Sequence, residues 1–482
     1  MKVTADIYGK TVDFIAGMPK ERRKEYGQFF TASSTADFMA SLLSIDFSKK
    51  NLHVLDAGAG SGVLSVAVIA YLREQGFTGD LELTCYETDS NVLPLLEDNL
   101  RSVSNLYRVK FRIRTDNYIL SQKFGMEESA CLYDIIIGNP PYRKVSKDAG
   151  EALAIPSVCY GAPNLYFLFW AMAIHNLKPG CEMVYIIPRS WTSGAYFRKF
   201  REYLFSECVI THLHLFNSRD KVFNGERVLQ ETIIVKIRKT VERPEYVTIT
   251  SSSTSDFSDV RTFEAPYNLI VSDRQYVFLI TCEDESEALN KLSHLSCTLP
   301  SIALSMKTGI IVDFRNREVL RNKPSDTTFP LFYSQHIKNG RVVWPVGKED
   351  EYISTDRAGF LQENTNYLLV KRFTAKEERR RLQCGIYLKS DHPEYSHIST
   401  QNKVNYIKCV TPAIAYGLFV LFNSTIYDTY YRMLNGSTQV NSTEINDMPV
   451  PDIDTITAMG EQLMEMELTE SNCNRILEQW IK

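Results

Sequence analysis

Short apolar runs alternate with stretches of helical spacing through the first half of this chain. Leu52–Leu55, Leu81–Tyr86, Tyr133–Gly138, Met183–Ile187, His212–Phe216 and Thr232–Ile237 each read as strands, being too short for helices and bounded by turn-forming residues. Between them, Val63–Leu72 and Leu165–Leu177 carry helix-like apolar patterns. Near-continuous apolar strands alternating with helices argue a mostly parallel, doubly wound α/β sheet covered on both faces. The second half changes character. Strand-like runs at Asn366–Lys371 and Val404–Lys408, a helix-like stretch over Ile414–Leu434 and an amphipathic tail over Ile456–Ile481 read as mixed α/β. A length of 482 residues exceeds one ordinary core, so two domains are expected. Glu242-Arg243-Pro244 sets the expected division at 1–243 and 244–482, with the Ser/Thr-rich run Thr248–Ser255 just beyond as the alternative linker.

Two strand ends carry chemistry. The run Tyr133–Gly138 passes directly into Asn139-Pro140-Pro141-Tyr142. Consecutive prolines fix the backbone and remove two amide donors, leaving the preceding carbonyls outward and unused. An exocyclic amine on a planar base needs acceptors for its hydrogens and a flat surface. The Asn139 side-chain oxygen and the Pro140 carbonyl can supply the first, and the Tyr142 ring the second. Upstream, Leu52–Leu55 leads into Asp56-Ala57-Gly58-Ala59-Gly60-Ser61-Gly62 and then the helix-like run from Val63. Strand, glycine turn, helix is the first βα unit of a doubly wound sheet, whose ligands sit at the carboxyl ends of the strands. A dinucleotide fingerprint counted from Gly58 wants a glycine where Val63 stands, which disfavours a hydride-transferring dehydrogenase.

Asp56 to Gly62 resembles the S-adenosylmethionine loop of class I methyltransferases, and Asn139 to Tyr142 resembles the catalytic loop of their amino-methylating members. Tyr26-Gly27-Gln28-Phe29-Phe30-Thr31 is similar to the segment that closes over the methionine end of the cofactor. Closing segment, glycine loop, catalytic loop and long C-terminal region is the order of the gamma class of N6-adenine DNA methyltransferases, the TaqI-like enzymes. In the second half, Lys307-Thr308-Gly309, Gln335-His336-Ile337 with Val343-Trp344-Pro345, the basic segment Lys371–Arg381 and Gly436-Ser437-Thr438-Gln439-Val440-Asn441 resemble modification methylases of the PstI/BsuBI kind. The resemblance implies a class I methyltransferase domain followed by a mixed α/β target-recognition domain. It implies cofactor contacts from Thr31, Asp56, Gly58, Gly60, Glu87 and Asp116, and catalysis by Asn139, Pro140 and Tyr142. A flipped adenine would lie between Tyr142 and Phe223, with Phe216 the main rival for the second face. Glu87 ends the second strand, where an acid suits a ribose. Implied partners are double-stranded DNA and a restriction endonuclease on a separate chain, since the stretch ahead of Tyr26 is too short for a second catalytic domain.

Charge complicates this picture. The net charge is −4, but DNA affinity depends on where cations lie. Residues 241–482 hold 25 basic and 32 acidic residues, with one dense basic segment containing Lys371, Arg372, Arg379, Arg380 and Arg381. It reads either as a salt-bridged helix or as a DNA-tracking surface, in which arginine also suits guanine. Ten cysteines without a C-x-x-C pair suggest reduced cytoplasmic thiols and no metal site, and neither a signal peptide nor a membrane span is expected. Two other functions stay open: methylation of an RNA or protein amine, and a non-catalytic DNA-recognition subunit.

Overall fold

The apolar runs become strands of one sheet in the computed structural model, which describes residues 2–17, 31–216, 232–254, 256–375 and 378–481. They are β1 (Asn51–Ala57), β2 (Asp80–Tyr86), β3 (Val109–Arg114), β4 (Tyr133–Gly138), β5 (Leu177–Pro188), β6 (Val209–Phe216), β7 (Thr232–Arg238), β8 (Tyr246–Ser252) and β9 (Arg261–Pro266). The sheet has nine strands in the order β3-β2-β1-β4-β5-β7-β6-β8-β9. The first five in that row pair in parallel. β7 runs antiparallel to β5 and β6, and β6 is parallel to β8.

Parallel neighbours require crossovers. Helices α1 (Lys2–Ala16), α2 (Ser33–Ser41), α3 (Val63–Glu74), α4 (Leu93–Tyr107), α5 (Leu165–Asn176) and α6 (Arg198–Glu207) flank the sheet strands in sequence. Met39, Val66 and Leu96 pack with Val54, Leu83 and Ile137 in one buried core. α5 is apolar all round, and every residue in it except His175 is buried, as expected of a helix without a polar face. Its Trp170 meets Trp191 edge-on at 4.8 Å between ring centroids.

The chain divides by its contacts into Met1–Cys282 and Glu283–Lys482, whereas composition placed the boundary at 243/244. The difference lies in the Ser/Thr-rich run, which forms β8 and pairs with β6 and β9 inside the first sheet.

The second unit holds a six-stranded and a five-stranded sheet. The longest pairing in the larger is the antiparallel one of Asn366–Lys371 with Val404–Cys409. The stretch expected as one helix over 414–434 is two, Pro412–Asn423 and Thr425–Leu434, broken at Ser424, whose hydroxyl caps the second helix at Tyr427 N. The tail is likewise divided into Ile453–Met464 and Glu470–Leu477, the latter capped by Thr469. Among the described residues no helix is long and apolar enough to cross a membrane, and all ten cysteines are free.

Candidate active site

β1 and β4 are neighbours, with Asp56 opposite Ile137. The strand order runs outward from this pair in opposite directions, which makes it the topological switch point where α/β sheets open a crevice. Both motif loops leave the sheet here.

The glycine loop is shaped for close approach. Gly58, Gly60 and Gly62 have φ of +80°, +56° and +83°, a region costly for side-chain-bearing residues. A Cβ on Gly62 would come within 2.8 Å of Leu96 Cδ1. Gly58 N and Ala59 N donate to Tyr86 O at 2.8 and 2.9 Å, tying the loop to the end of β2. Glu87 follows directly. Its Oε2 accepts from Gly60 N (2.9 Å), and its Oε1 accepts from Thr88 N and Asp89 N (2.8 Å each). Burial raises the Glu87 pKa, against the lowering effect of those three donors. Asp56 is fully buried. Its Oδ2 accepts from Ser65 Oγ at 2.7 Å, while Oδ1 has no partner among the described residues. Burial pushes its pKa up to about 7, and the Glu87 charge adds to the rise. Asp116 is exposed and gripped by Arg114 through Nε (3.1 Å) and Nη2 (2.6 Å).

The catalytic loop lies beside it. A Cβ on Gly58 would meet Pro141 Cδ and Phe169 Cε1 at 3.8 Å each. Gly138 must be small because the Tyr185 ring would sit 2.7 Å from its Cβ. Asn139 Nδ2 donates to Thr31 Oγ1 at 3.1 Å. On the other side, the Tyr142 hydroxyl has two acceptors for its one proton, Asn139 Oδ1 at 2.6 Å and Ile186 O at 3.0 Å. Tyr142 is buried, which raises its pKa well above the ordinary phenol value, and its ring stands edge-on to Tyr166 at 6.3 Å. The Asn139 carboxamide is thus held at both ends, by Thr31 from the start of the chain and by Tyr142 from its own loop. Neither Thr31 nor the Ile186 carbonyl is visible as a partner of this loop in the sequence, since both lie far from it along the chain.

Phe223 and the segment Tyr26–Phe30 lie outside the described residues. Phe216 stands edge-on to His214 at 4.7 Å and packs against the core that holds Val54 and Leu83.

The basic segment of the second unit does not form one surface. Arg381 is 1% exposed; its Nε donates to Thr374 Oγ1 and its Nη2 to Ser437 O. It is an internal brace, not the DNA-facing cation that its place in a charge run suggested. Arg380 is largely buried, bonds Phe422 O and Ser424 O, and pairs with Glu470. Arg379 is exposed and also pairs with Glu470 at 2.9 Å. Lys371 and Arg372 are half-buried at the end of the strand Asn366–Lys371.

Residues 78–223 match the Eco57I restriction-modification methylase family. The chain is 34% identical over 461 residues to the type II methyltransferase M.BsuBI of Bacillus subtilis, covering 92% of this chain and 91% of that protein. It is 32% identical over 482 residues to M.PstI of Providencia stuartii, covering 95% and 93%. Among solved structures, the type IIL restriction-modification enzyme MmeI in complex with DNA shares the fold with a TM-score of 0.53 at 13% identity, over 93% of this chain and 72% of that one.

Proposed function

This chain belongs to the type II restriction-modification methyltransferases, the family of M.BsuBI and M.PstI, and we propose that it methylates N6 of adenine within one short duplex DNA sequence, using S-adenosylmethionine. The observation that carries the reading is the Asn139 carboxamide, held between Thr31 and Tyr142 at the switch point and beside the glycine loop. An exocyclic amine requires an oxygen acceptor fixed in direction, and Asn139 Oδ1 is one. Pro140 O is the second. It accepts no backbone hydrogen bond from any described residue.

The residues at the ends of β1 and β2 fit the cofactor. Glu87 arrives oriented by three backbone donors, the glycines leave room for a close ligand, and Asp56 Oδ1 is a buried oxygen awaiting a donor. Asp56, Gly58, Gly60, Glu87 and Asp116 would hold it, with Arg114 setting the direction of the Asp116 carboxylate, while Thr31 would serve the Asn139 carboxamide instead. When bound, S-adenosylmethionine supplies an electrophilic methyl group. The chain does the rest by position. Oδ1 of Asn139 and the Pro140 carbonyl accept hydrogen bonds from the adenine amine and draw its lone pair out of conjugation. These bonds strengthen as the nitrogen becomes tetrahedral, which is differential transition-state binding. Reaching the loop requires the base to leave the duplex, and the Tyr142 ring, with Phe223, would replace its lost stacking. The second unit would recognise the target, and the cognate endonuclease would be a separate chain. Acting on duplex DNA, the enzyme would work in the cytoplasm.

The test is expression in a host lacking adenine methylation, with modified bases mapped across the genome. Methyladenine confined to one short motif is the expected result. Asn139→Ala should lower the single-turnover rate by about 10²–10³, the scale of losing one well-placed polar contact, with DNA and cofactor still bound. Methylation of cytosine N4, or of no DNA base at all, would overturn the adenine assignment.

A further inference from the structure

Four segments of the second unit that lie far apart in sequence are knitted together at one end of its larger sheet. The hub is Asn405, which is fully buried. Its Oδ1 accepts from Thr308 Oγ1 (3.0 Å) and its Nδ2 donates to Val440 O (2.8 Å). Val440 N donates in turn to Arg372 O at 2.6 Å, and Thr374 N to Thr438 O at 3.1 Å. Phe373 and Gln439 thereby form an antiparallel bridge. Arg372 N donates to Lys403 O, and its Nη1 reaches Asn402 O at 2.9 Å. Arg381 closes the frame from beneath through Thr374 and Ser437. Buried groups therefore hold a seam whose outer edge is Lys371, Arg372, Phe373, Lys403, Thr438 and Gln439.

Two properties of that edge point to its ligand. First, its cations stand outside ion pairs among the described residues, Lys371 being felt only through space by Glu378. Arg379, Arg380, Lys408 and Arg432 pair with Glu470, Glu363 or Asp428. Lys371, Arg372 and Lys403 have no ion-pair partner among the described residues. Second, the edge presents donors and an aromatic face. Satisfying both groups puts the Gln439 side-chain oxygen against Arg372 Nε (2.8 Å) and Nη2, so the amide N–H₂ of Gln439 points away from Arg372. Phe373 is 50% exposed, under the Arg372 guanidinium at 5.6 Å. A partner for this edge must be rich in acceptors and carry negative charge.

We propose that this seam is the DNA-contacting element of the second unit, with Lys371 and Lys403 on phosphates and Arg372, Phe373 and Gln439 toward the base edges. Guanine is the base it suits, because its major-groove edge carries two acceptors, O6 and N7. Arg380 and Arg381 brace the seam and touch no DNA. The proposal rests on the reading that this unit recognises duplex DNA, and its test separates the two.

Binding of a mixed-sequence duplex and of the mapped target is measured across a salt series for Lys403→Glu, Gln439→Ala and the intact enzyme. Lys389→Glu serves as control; it is an exposed lysine whose amide bonds Asn366, at the opposite end of the strand that finishes at Lys371. Lys403→Glu should weaken duplex binding about tenfold and lower the salt slope by about 1, the loss of one phosphate contact. Gln439→Ala should leave mixed-sequence binding intact and relax the target at one G·C pair. Thermal unfolding like that of the intact enzyme confirms folding. Unchanged binding in Lys403→Glu, or an equal loss in Lys389→Glu, overturns the seam. If the intact enzyme methylates no adenine while Lys403→Glu alone weakens duplex binding, the catalytic reading falls and the seam stands.

Discussion

Asn139 is useful only in one orientation, because turning its carboxamide over exchanges an acceptor for a donor at the reacting amine. The 3.1 Å bond from its Nδ2 to Thr31 Oγ1 marks the correct face. Thr31→Val removes that bond and should lower the maximal single-turnover rate by about tenfold, the scale of one neutral hydrogen bond. Thr31→Ser should restore it, and cofactor affinity measured by calorimetry should stay close to that of the unaltered enzyme. The opposite split, weak cofactor binding with an unchanged rate at saturation, would return Thr31 to the cofactor-contact role that its motif implies. Position in a motif made Thr31 legible as a site residue, but spacing says nothing about a partner 108 residues away. The arginines show the same limit from the other side. Two residues apart in sequence, Arg379 is exposed while Arg381 is sealed inside by Thr374 and Ser437. Charge runs record composition, and the direction of each side chain is settled only by packing.

At the scale of elements, apolar patterning found the strands at both motif loops but misread β8. A Ser/Thr-rich run looks like a linker, yet Thr250, Ser251 and Ser252 are all buried. The hydroxyls of Thr250 and Ser252 are needed because β6 carries two histidines inside the sheet. Thr250 Oγ1 meets His212 Nε2 at 2.8 Å and His214 Nδ1 at 2.9 Å, and Ser252 Oγ meets His214 Nε2 at 3.2 Å. Burial lowers the pKa of His212 to about 4, with Lys236 adding to the fall. It lowers that of His214 to about 3, reinforced by His212 and opposed by Asp259. The unfolded chain binds protons below about pH 6.5 that the folded sheet refuses, so stability falls as pH drops through that value toward 4. Asp56 works in the other direction. Its raised pKa of about 7 means the folded state holds a proton the unfolded chain has lost, and stability falls as pH rises from about 4 toward 7. Comparing variants separates the two. His212→Gln/His214→Gln should lose less of its urea midpoint between pH 7.5 and pH 5 than the unaltered protein does. An unchanged acid slope would place the acid-sensitive groups elsewhere.

For the whole molecule, a net charge of −4 does not oppose DNA binding once the cations are sorted into braces and a seam. The two units also divide the proposed work. Every residue assigned to cofactor and chemistry lies in Met1–Cys282, and the seam lies in Glu283–Lys482. That division is testable through packing alone. Gly417 and Gly460 sit where the helices Pro412–Asn423 and Ile453–Met464 cross, and a Cβ on either would overlap the facing backbone carbonyl, of Ile456 or Ala413. Alanine in place of glycine favours a helix by about 1 kcal/mol, but forcing two packed backbones apart costs about 1–3 kcal/mol or more, and backbone has no rotamer with which to yield. Gly417→Ala should therefore destabilise the second unit despite its better helix propensity. Proteolysis should then fall mainly within Glu283–Lys482, and site-specific DNA binding should be lost. Calorimetry should still find S-adenosylmethionine bound by the first unit. Loss of cofactor binding along with DNA binding would show that the two units unfold as one cooperative block, and the division of labour would then be one of chemistry without being one of folding.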